Sequence, residues 1–275
     1  MLGHVKHERI LTMSPESLAG QWTGISGPRF RRMYMELFTA RDIAESLYSF
    51  DISTPCEEVK KVMTQSRLNV VSIRSKGTVQ GYLRHADLAG QTCTDGMRHF
   101  TLDQVITGDS TLSDVIHVLT RHDNCFVSML GEVVGVISRD DINKPMVRMW
   151  LFGLITMIET RMVQMIQKKF PNDSWSSVIT PERLQKAKQI QQERMRINQH
   201  CDLLDCLQLS DKARIAMENP TILESFGFAT KRSGKQAIRN LESLRNNLAH
   251  AQDIVTHDWA QIARMSQRME ELSRR

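Results

Sequence analysis

Two stretches of this 275-residue chain repeat one another at an offset of about 54 residues, and that repeat limits the possible folds more than any other feature. In the first copy, Asn69–Ile73 and Val79–Leu83 read as strands around a Lys76-Gly77 turn. In the second, Cys125–Met129 and Val133–Ile137 flank Gly131. A segment of helical period precedes each pair, Cys56–Ser66 and then Thr111–His122. Each copy closes on a Gly, five residues, an Asp and an apolar residue: Gly81 to Asp87-Leu88, and Gly135 to Asp141-Ile142. A period this long and irregular does not build a solenoid, and two copies suggest a pseudo-twofold pair.

From Met146 onward the strand signals stop. Met146, Met149, Trp150, Gly153, Leu154, Met157, Ile158, Met162, Met165 and Ile166 follow helical spacing along one broad stripe. Phe170-Pro171 ends that helix. Thr180 caps the next, with Pro181 at its first position and an end expected near Leu207. Ser210 or Asp211 starts a further short helix ending at Asn219-Pro220. After Ser233-Gly234, positions Ile238, Leu241, Leu248, Ile254, Val255, Trp259 and Ile262 mark a last helical stretch. The expected fold class is therefore an α+β N-terminal half made of two β-α-β-β-α repeats, followed by an all-α bundle of four or more helices. The expected division is an extension over 1–37, a repeat pair over 38–145 and a helical domain over 146–275. The extension carries a basic cluster at Arg29, Arg31 and Arg32 and is expected to pack on the rest.

Composition bounds the function classes. With 41% hydrophobic and 24% charged residues the chain is of ordinary globular make-up. A net charge of +5 permits a phosphate-bearing partner without requiring one. The five cysteines form no C-x2-C pair, so neither a zinc site nor a disulfide framework is suggested, and they read as buried or idle thiols in a reducing cytosol. No secretory signal opens the sequence, and the most apolar run, Met149–Ile158, is too short to span a bilayer. A cytoplasmic protein with no membrane partner is expected.

Residues 135–142, Gly-Val-Ile-Ser-Arg-Asp-Asp-Ile, carry a resemblance to CBS domains, modules that associate in pairs. The resemblance implies that Asp141 holds the two ribose hydroxyls of an adenine nucleotide (AMP, ADP or ATP) acting as a regulatory ligand, with Ser138 near ribose or phosphate. A carboxylate near a helix start accepting two hydroxyl protons fits that role. The first copy keeps Asp87 but has Arg84 where Ser or Thr is usual. Arg84 can pair with a phosphate, fill the cleft or form a salt bridge to Asp87. One functional site at Asp141 is expected, with the Asp87 site altered or empty. Asp87 and Asp141 as plain helix caps are the alternative.

Near the C-terminus, Arg245-Asn246 and His250 form an Arg-x4-His pattern. Its chemical use is RNA cleavage without a metal: the His moves protons to and from the 2′-OH and the leaving oxygen, and the Arg stabilises charge on the phosphorane. The helical half resembles the HEPN superfamily, many of whose members are metal-independent ribonucleases, and Glu159 loosely resembles an acidic residue on the first helix of that family. The resemblance implies Arg245, Asn246 and His250 as catalytic residues, no catalytic cofactor or metal, RNA as substrate rather than DNA, and a symmetric homodimer that joins two copies of the motif. A lone helix sets residues five apart about 140° from one another, which is why one subunit does not complete the site. Other readings stand beside this one: a non-catalytic nucleotide sensor whose bundle mediates dimerisation or partner docking, or a solvated helix face with an incidental His.

Overall fold

A computed structural model of the chain describes residues 29, 32–34, 36–88, 92–250, 252–254, 262–264 and 266–267. Most of the expected extension, together with Arg31, Val255 and Trp259, lies outside the described residues. The first elements are α1 (Ala40–Ile43), β1 (Glu45–Ser46), β2 (Ser49–Asp51), α2 (Cys56–Gln65), β3 (Val70–Ser75) and β4 (Thr78–Arg84). The second repeat supplies β5 (Val105–Thr107), α3 (Leu112–Leu119), β6 (Asn124–Met129) and β7 (Glu132–Ser138). The helical half is α4 (Pro145–Lys169), α5 (Pro181–Arg196), α6 (Leu209–Glu218), α7 (Pro220–Ser225) and α8 (Lys231–Ala249). The fold is thus two CBS-like repeats followed by an all-α bundle.

Both repeats use one plan. A short strand pairs in parallel with the first arm of a hairpin, β2 on β3 and β5 on β6, and each hairpin is antiparallel. The hairpins turn on Lys76-Gly77 and Leu130-Gly131, all four residues having positive φ (51°, 83°, 53° and 86°), the geometry that matches the twist of the flanking strands. Strand β1 crosses over to the edge of the second sheet, giving the order β1-β7-β6-β5 beside β2-β3-β4. The three short strands β1, β2 and β5 carry no alternation long enough to read in sequence.

The motif glycines have packing reasons. A Cβ on Gly81 would meet the carbonyl oxygen of Arg98 at 2.3 Å, because the segment after the first repeat lies directly against β4. Gly135 is crowded by Ala44 and Glu45, where β1 lies against β7. Between the repeats, Tyr82 and Phe126 pack with ring centroids 4.6 Å apart, and Phe100 meets Phe126 edge-on at 4.8 Å. These rings join Leu47 and Val70 in a buried cluster spanning the pseudo-dyad.

The second repeat and the bundle share one hydrophobic core. It runs from Leu112, Ile116 and Ile137 through Trp150, Leu154 and Met162 to Leu241, Leu244, Ile254 and Ile262. Helix α4 is its axis. Val147, Leu151 and Ile155 are buried with Trp150, Leu154, Met157, Ile158, Met162 and Ile166 of the expected stripe, and at helical spacing these positions cover about half of the helix's circumference. Met157 and Met162 are core, whereas Met146 and Met149 are exposed. At Gly153 the phenol of Tyr34 lies where a side chain would begin, which docks the described end of the N-terminal segment on α4.

The end of α5 and both ends of α8 differ from the sequence expectation. Helix α5 stops at Arg196, not near Leu207: the backbone turns left-handed at Asn198, and Leu204, Cys206 and Leu207 are buried from a separate 3-10 turn, Leu203–Cys206. Helix α8 starts earlier than expected, capped by Thr230, and ends at Ala249 with His250 as its C-cap; 252–254 are not helical, and helical backbone returns at 262–264 and 266–267. Thr230 bonds the amide of Ser233 at 3.1 Å, and that cap decides the start.

One ion pair ties α4 to α6. The Lys212 ammonium, 5% exposed, reaches the Glu159 carboxylate at 2.6 Å. Removing the carboxylate strands a buried cation. Glu159→Ala is expected to destabilise the protein by about 3 kcal/mol, and Glu159→Ala with Lys212→Met to recover most of that loss. Equal losses in both variants by urea denaturation would show that the pair matters only through packing. At the exposed Leu130, held at φ 53°, Leu130→Asn is expected to stabilise by on the order of 1 kcal/mol, read as a raised Tm.

Candidate nucleotide site and the end of the last helix

Strand β7 ends at Ser138, and a 3-10 turn, Asp140–Asn143, leads into α4. Asp141 lies in that turn with its side chain 12% exposed. Its Oδ2 accepts from the Ser138 backbone N–H at 2.6 Å and from Ser138 Oγ at 2.8 Å. Its Oδ1 faces Lys144 Nζ at 2.9 Å. Lys144 also donates to the Ile43 carbonyl at 2.7 Å and to the Glu45 carboxylate. Burial pulls the Lys144 ammonium down, but its bonds to Glu45 and Asp141 outweigh that, and its pKa is raised.

This arrangement caps the turn and also restricts how a ligand can enter. An ionised carboxylate offers about four lone-pair directions. Ser138 and Lys144 direct three donors at Asp141. A diol donating both hydroxyls to this carboxylate would exceed that capacity unless the Ser138 hydroxyl or the Lys144 ammonium gave way.

The first copy is closed more tightly. Arg84 bonds Asp87 through Nε at 2.7 Å and Nη2 at 3.0 Å. Arg98 does the same at 2.6 and 3.2 Å. Hydrogen bonds from Arg84 and then Arg98 hold the Asp87 carboxyl far below the usual carboxylate range. Among the three open roles of Arg84, the structure shows the salt bridge. Arg84 also lies 4.0 Å from Asp123 of the second repeat, and Arg139 approaches the same carboxylate at 3.7 Å. The two motif copies thus meet across Asp123.

Sequence reasoning missed Arg98, Asp123 and Lys144. Arg98 arrives from a connecting segment whose backbone exchanges two 2.8 Å hydrogen bonds with Tyr82, a pairing with no local signature. Lys144 was the legible one: three residues beyond Asp141, it sits one helical turn away.

At the other end of the sequence, Arg245 and Asn246 are exposed on α8 and His250 is exposed at its C-cap. The structure puts these three at one helix end without joining them to the Asp141 turn directly. Two neighbouring residues make that link. Arg148 donates to the carbonyls of Asn247 at 2.9 Å, Leu248 at 3.2 Å and Gln252 at 2.9 Å. Asn143 donates to Asp253 at 3.0 Å and accepts from the Ile254 N–H at 3.2 Å. The Asn247 and Leu248 carbonyls also accept from the Gln252 and His250 N–H groups, so Arg148 adds a charged donor to a helix end already capped by its own backbone. Glu159 is committed to Lys212. Among the described residues, no three His, Cys, Asp or Glu side chains are grouped to hold a metal ion, and no helix is long and apolar enough to cross a membrane.

Sign decides the pH response of the first copy. A carboxylate with a depressed folded pKa adds stability that is complete above its unfolded pKa of about 3.9 and is lost as pH falls toward the folded value. Asp87→Asn is expected to lower unfolding free energy at neutral pH, and the deficit against wild type is expected to shrink steadily in acid below about pH 4. Chemical denaturation of both proteins across that range checks it; a deficit independent of pH would mean that shape, not charge, holds the two arginines.

No family model matches the sequence, and neither does any curated protein. Solved structures are similar over part of the chain. CBSX2 in complex with AMP is 17% identical, with a TM-score of 0.35, covering 38% of this chain and 92% of that one. A CBS domain-containing protein from Bacillus anthracis is 12% identical, with a TM-score of 0.36, covering 40% and 94%. A conserved CBS domain protein from Thermoplasma acidophilum is 16% identical, with a TM-score of 0.35, covering 45% and 77%.

Proposed function

We propose that this protein is a nucleotide-responsive regulator in which the Asp141 turn receives an adenine nucleotide and the end of α8 is the output. The resemblance carried by residues 135–142 supplies the ligand class. One observation supports the coupling: Asn143, two residues after Asp141, bonds both the Asp253 side chain and the Ile254 N–H. A ribose that displaces Ser138 or Lys144 from Asp141 perturbs the turn holding Asn143. Arg148, one helical turn further, holds the last carbonyls of α8. Ligand binding and the order of residues 247–254 are then linked, and the linkage is reciprocal. Asp87, clamped by two arginines, is the closed member of the pair, and Arg84 there acts as a plug.

The test is a titration of AMP, ADP and ATP into the full chain. A nucleotide at about 100 times its Kd adds about 2.7 kcal/mol to stability. Asp141→Asn is expected to abolish that gain, and Asn143→Ala to keep binding while removing the change in amide exchange over residues 247–254. No stabilisation by any of the three nucleotides sinks the proposal. Stabilisation that Asp141→Asn leaves intact relocates the site.

A second reading, a metal-independent ribonuclease, rests on the exposure of Arg245, Asn246 and His250 at one helix end. There His250 is the proton-transfer group, Arg245 binds the scissile phosphate, Asn246 positions one of them, and a twofold partner copy supplies the second set. RNA cleavage in EDTA that yields 2′,3′-cyclic phosphate ends and is lost in His250→Ala would establish it, and the nucleotide would then act as its gate. Intact RNA in both proteins leaves α8 as a dimer or partner surface.

A further inference from the structure

Two cysteines that sequence spacing gave no reason to connect are brought together after α5. The Cys201 and Cys206 sulfurs lie 3.5 Å apart, whereas bonded sulfurs sit at about 2 Å. We propose that Cys201 and Cys206 are a modification site: a peroxide-responsive dithiol that closes to an intramolecular disulfide.

The two thiols differ in ways that assign their roles. Cys201 is partly exposed, and the Arg194 side chain hydrogen-bonds to it. Cys206 is buried, and burial together with the Cys201 contact pushes its thiol up to about 11. Cys201 is therefore the sulfur that meets oxidant, and Cys206 the one that resolves it.

The chemistry balances with a hydroperoxide as oxidant. The Cys201 thiolate attacks one peroxide oxygen, the O–O bond breaks, and the departing hydroxide takes a proton to leave as water. Cys201 is then a sulfenic acid. The Cys206 sulfur, giving up its proton, attacks the Cys201 sulfur; the S–O bond breaks and the hydroxyl departs as a second water. Two thiols lose two electrons and two protons in all, and the peroxide is reduced to two waters.

The surroundings favour closure. The Cys201 carbonyl is fixed by Gln191 Nε2 at 2.9 Å, and Asp202, which precedes the 3-10 turn, is held by Gln167 Nε2 at 3.0 Å. Leu204 and Leu207 are buried on either side of Cys206. Cys206 also lines a cavity of about 280 Å³ with Arg183, Lys186, Ile190 and Asp211, so the bond would reshape one wall of that cavity. The other cysteines are buried: Cys93 bonds the Thr54 carbonyl and its thiol is raised by burial and then by neighbouring Cys56, and burial pushes the Cys125 thiol up to about 12.

The experiment exposes the folded full chain to hydrogen peroxide, quenches, denatures and alkylates with iodoacetamide, and maps the peptides by mass. All five cysteines are expected to alkylate without peroxide. After peroxide, labelling at Cys201 and Cys206 is expected to fall by about tenfold, with a 201–206 peptide lacking two hydrogens that dithiothreitol restores. In Cys206→Ala, dimedone is expected to trap a sulfenic acid at Cys201. Five alkylated cysteines after peroxide, losses confined to Cys56, Cys93 or Cys125, or unresolved oxidation of Cys201 in the unmutated chain overturns the proposal. The wild-type peptide map decides this whether or not the variant folds.

Discussion

Helix α4 buries one broad side, and both halves of the protein are assembled on it. Trp150, Leu154, Met162 and Ile166 are fully buried, and the core they enter is continuous with Leu112, Ile116 and Ile137 of the second repeat. Fully burying one such side chain is worth about 1.5–3 kcal/mol, so these contacts dominate the polar contacts that decorate them. The repeat pair and the bundle are not two globules on a tether. Pro145 begins α4 two residues after the Asp140–Asn143 turn, so a displacement in that turn is delivered to the helix with no linker to absorb it.

The pseudo-twofold pair shows how one substitution changes a site without altering the fold. Gly81 and Gly135 occupy matching places, each admitting a close neighbour, and both hairpins turn on paired positive-φ residues. What differs is the residue three before the Asp. Ser138 makes two short bonds to one oxygen of Asp141 and leaves capacity on the carboxylate. Arg84 spends both oxygens of Asp87, and Arg98 spends them again. The carboxylate charge is met by two arginines in one copy and by Lys144 alone in the other.

How far this was legible in the sequence depended on the range of the interaction. The hairpins, α2, α3 and the start of α5 rest on turn chemistry and periodicity within a few residues, and they stand close to where the sequence put them. The short strands β1, β2 and β5 are held by partners far along the chain, so nothing local marks them. The ends of α5 and α8 were misplaced for the same reason. Apolar spacing continued past Arg196 and past Ala249, but Leu204 reaches the core from a separate 3-10 turn and Ile254 from non-helical backbone. At the site, Ser138, Asp141, Arg84 and Asp87 lie within two eight-residue motifs, while Arg98 and Asp123 come from other segments. Cys201 and Cys206 were unreadable as a pair because a helix would have carried them to different faces, and only the early stop of α5 folds them together.

The physical case for regulation is a contrast between the two ends of α8. Its start is fixed by the Thr230 cap and by the ion pair of Lys231 with Glu218 of α6. At its end the His250 N–H bonds the Asn246 and Leu248 carbonyls and the Gln252 N–H bonds the Asn247 carbonyl. Arg148 and Asn143 add donors from the other side of the contact, Arg148 on three carbonyls and Asn143 on Asp253. Both donors lie within seven residues of Asp141, on the turn and the first coils of the helix that follows. Arg245, Asn246 and His250 occupy the end that Arg148 and Asn143 reach. On the reading proposed above, a shift of the Asp141 turn would be passed to that end through these two side chains.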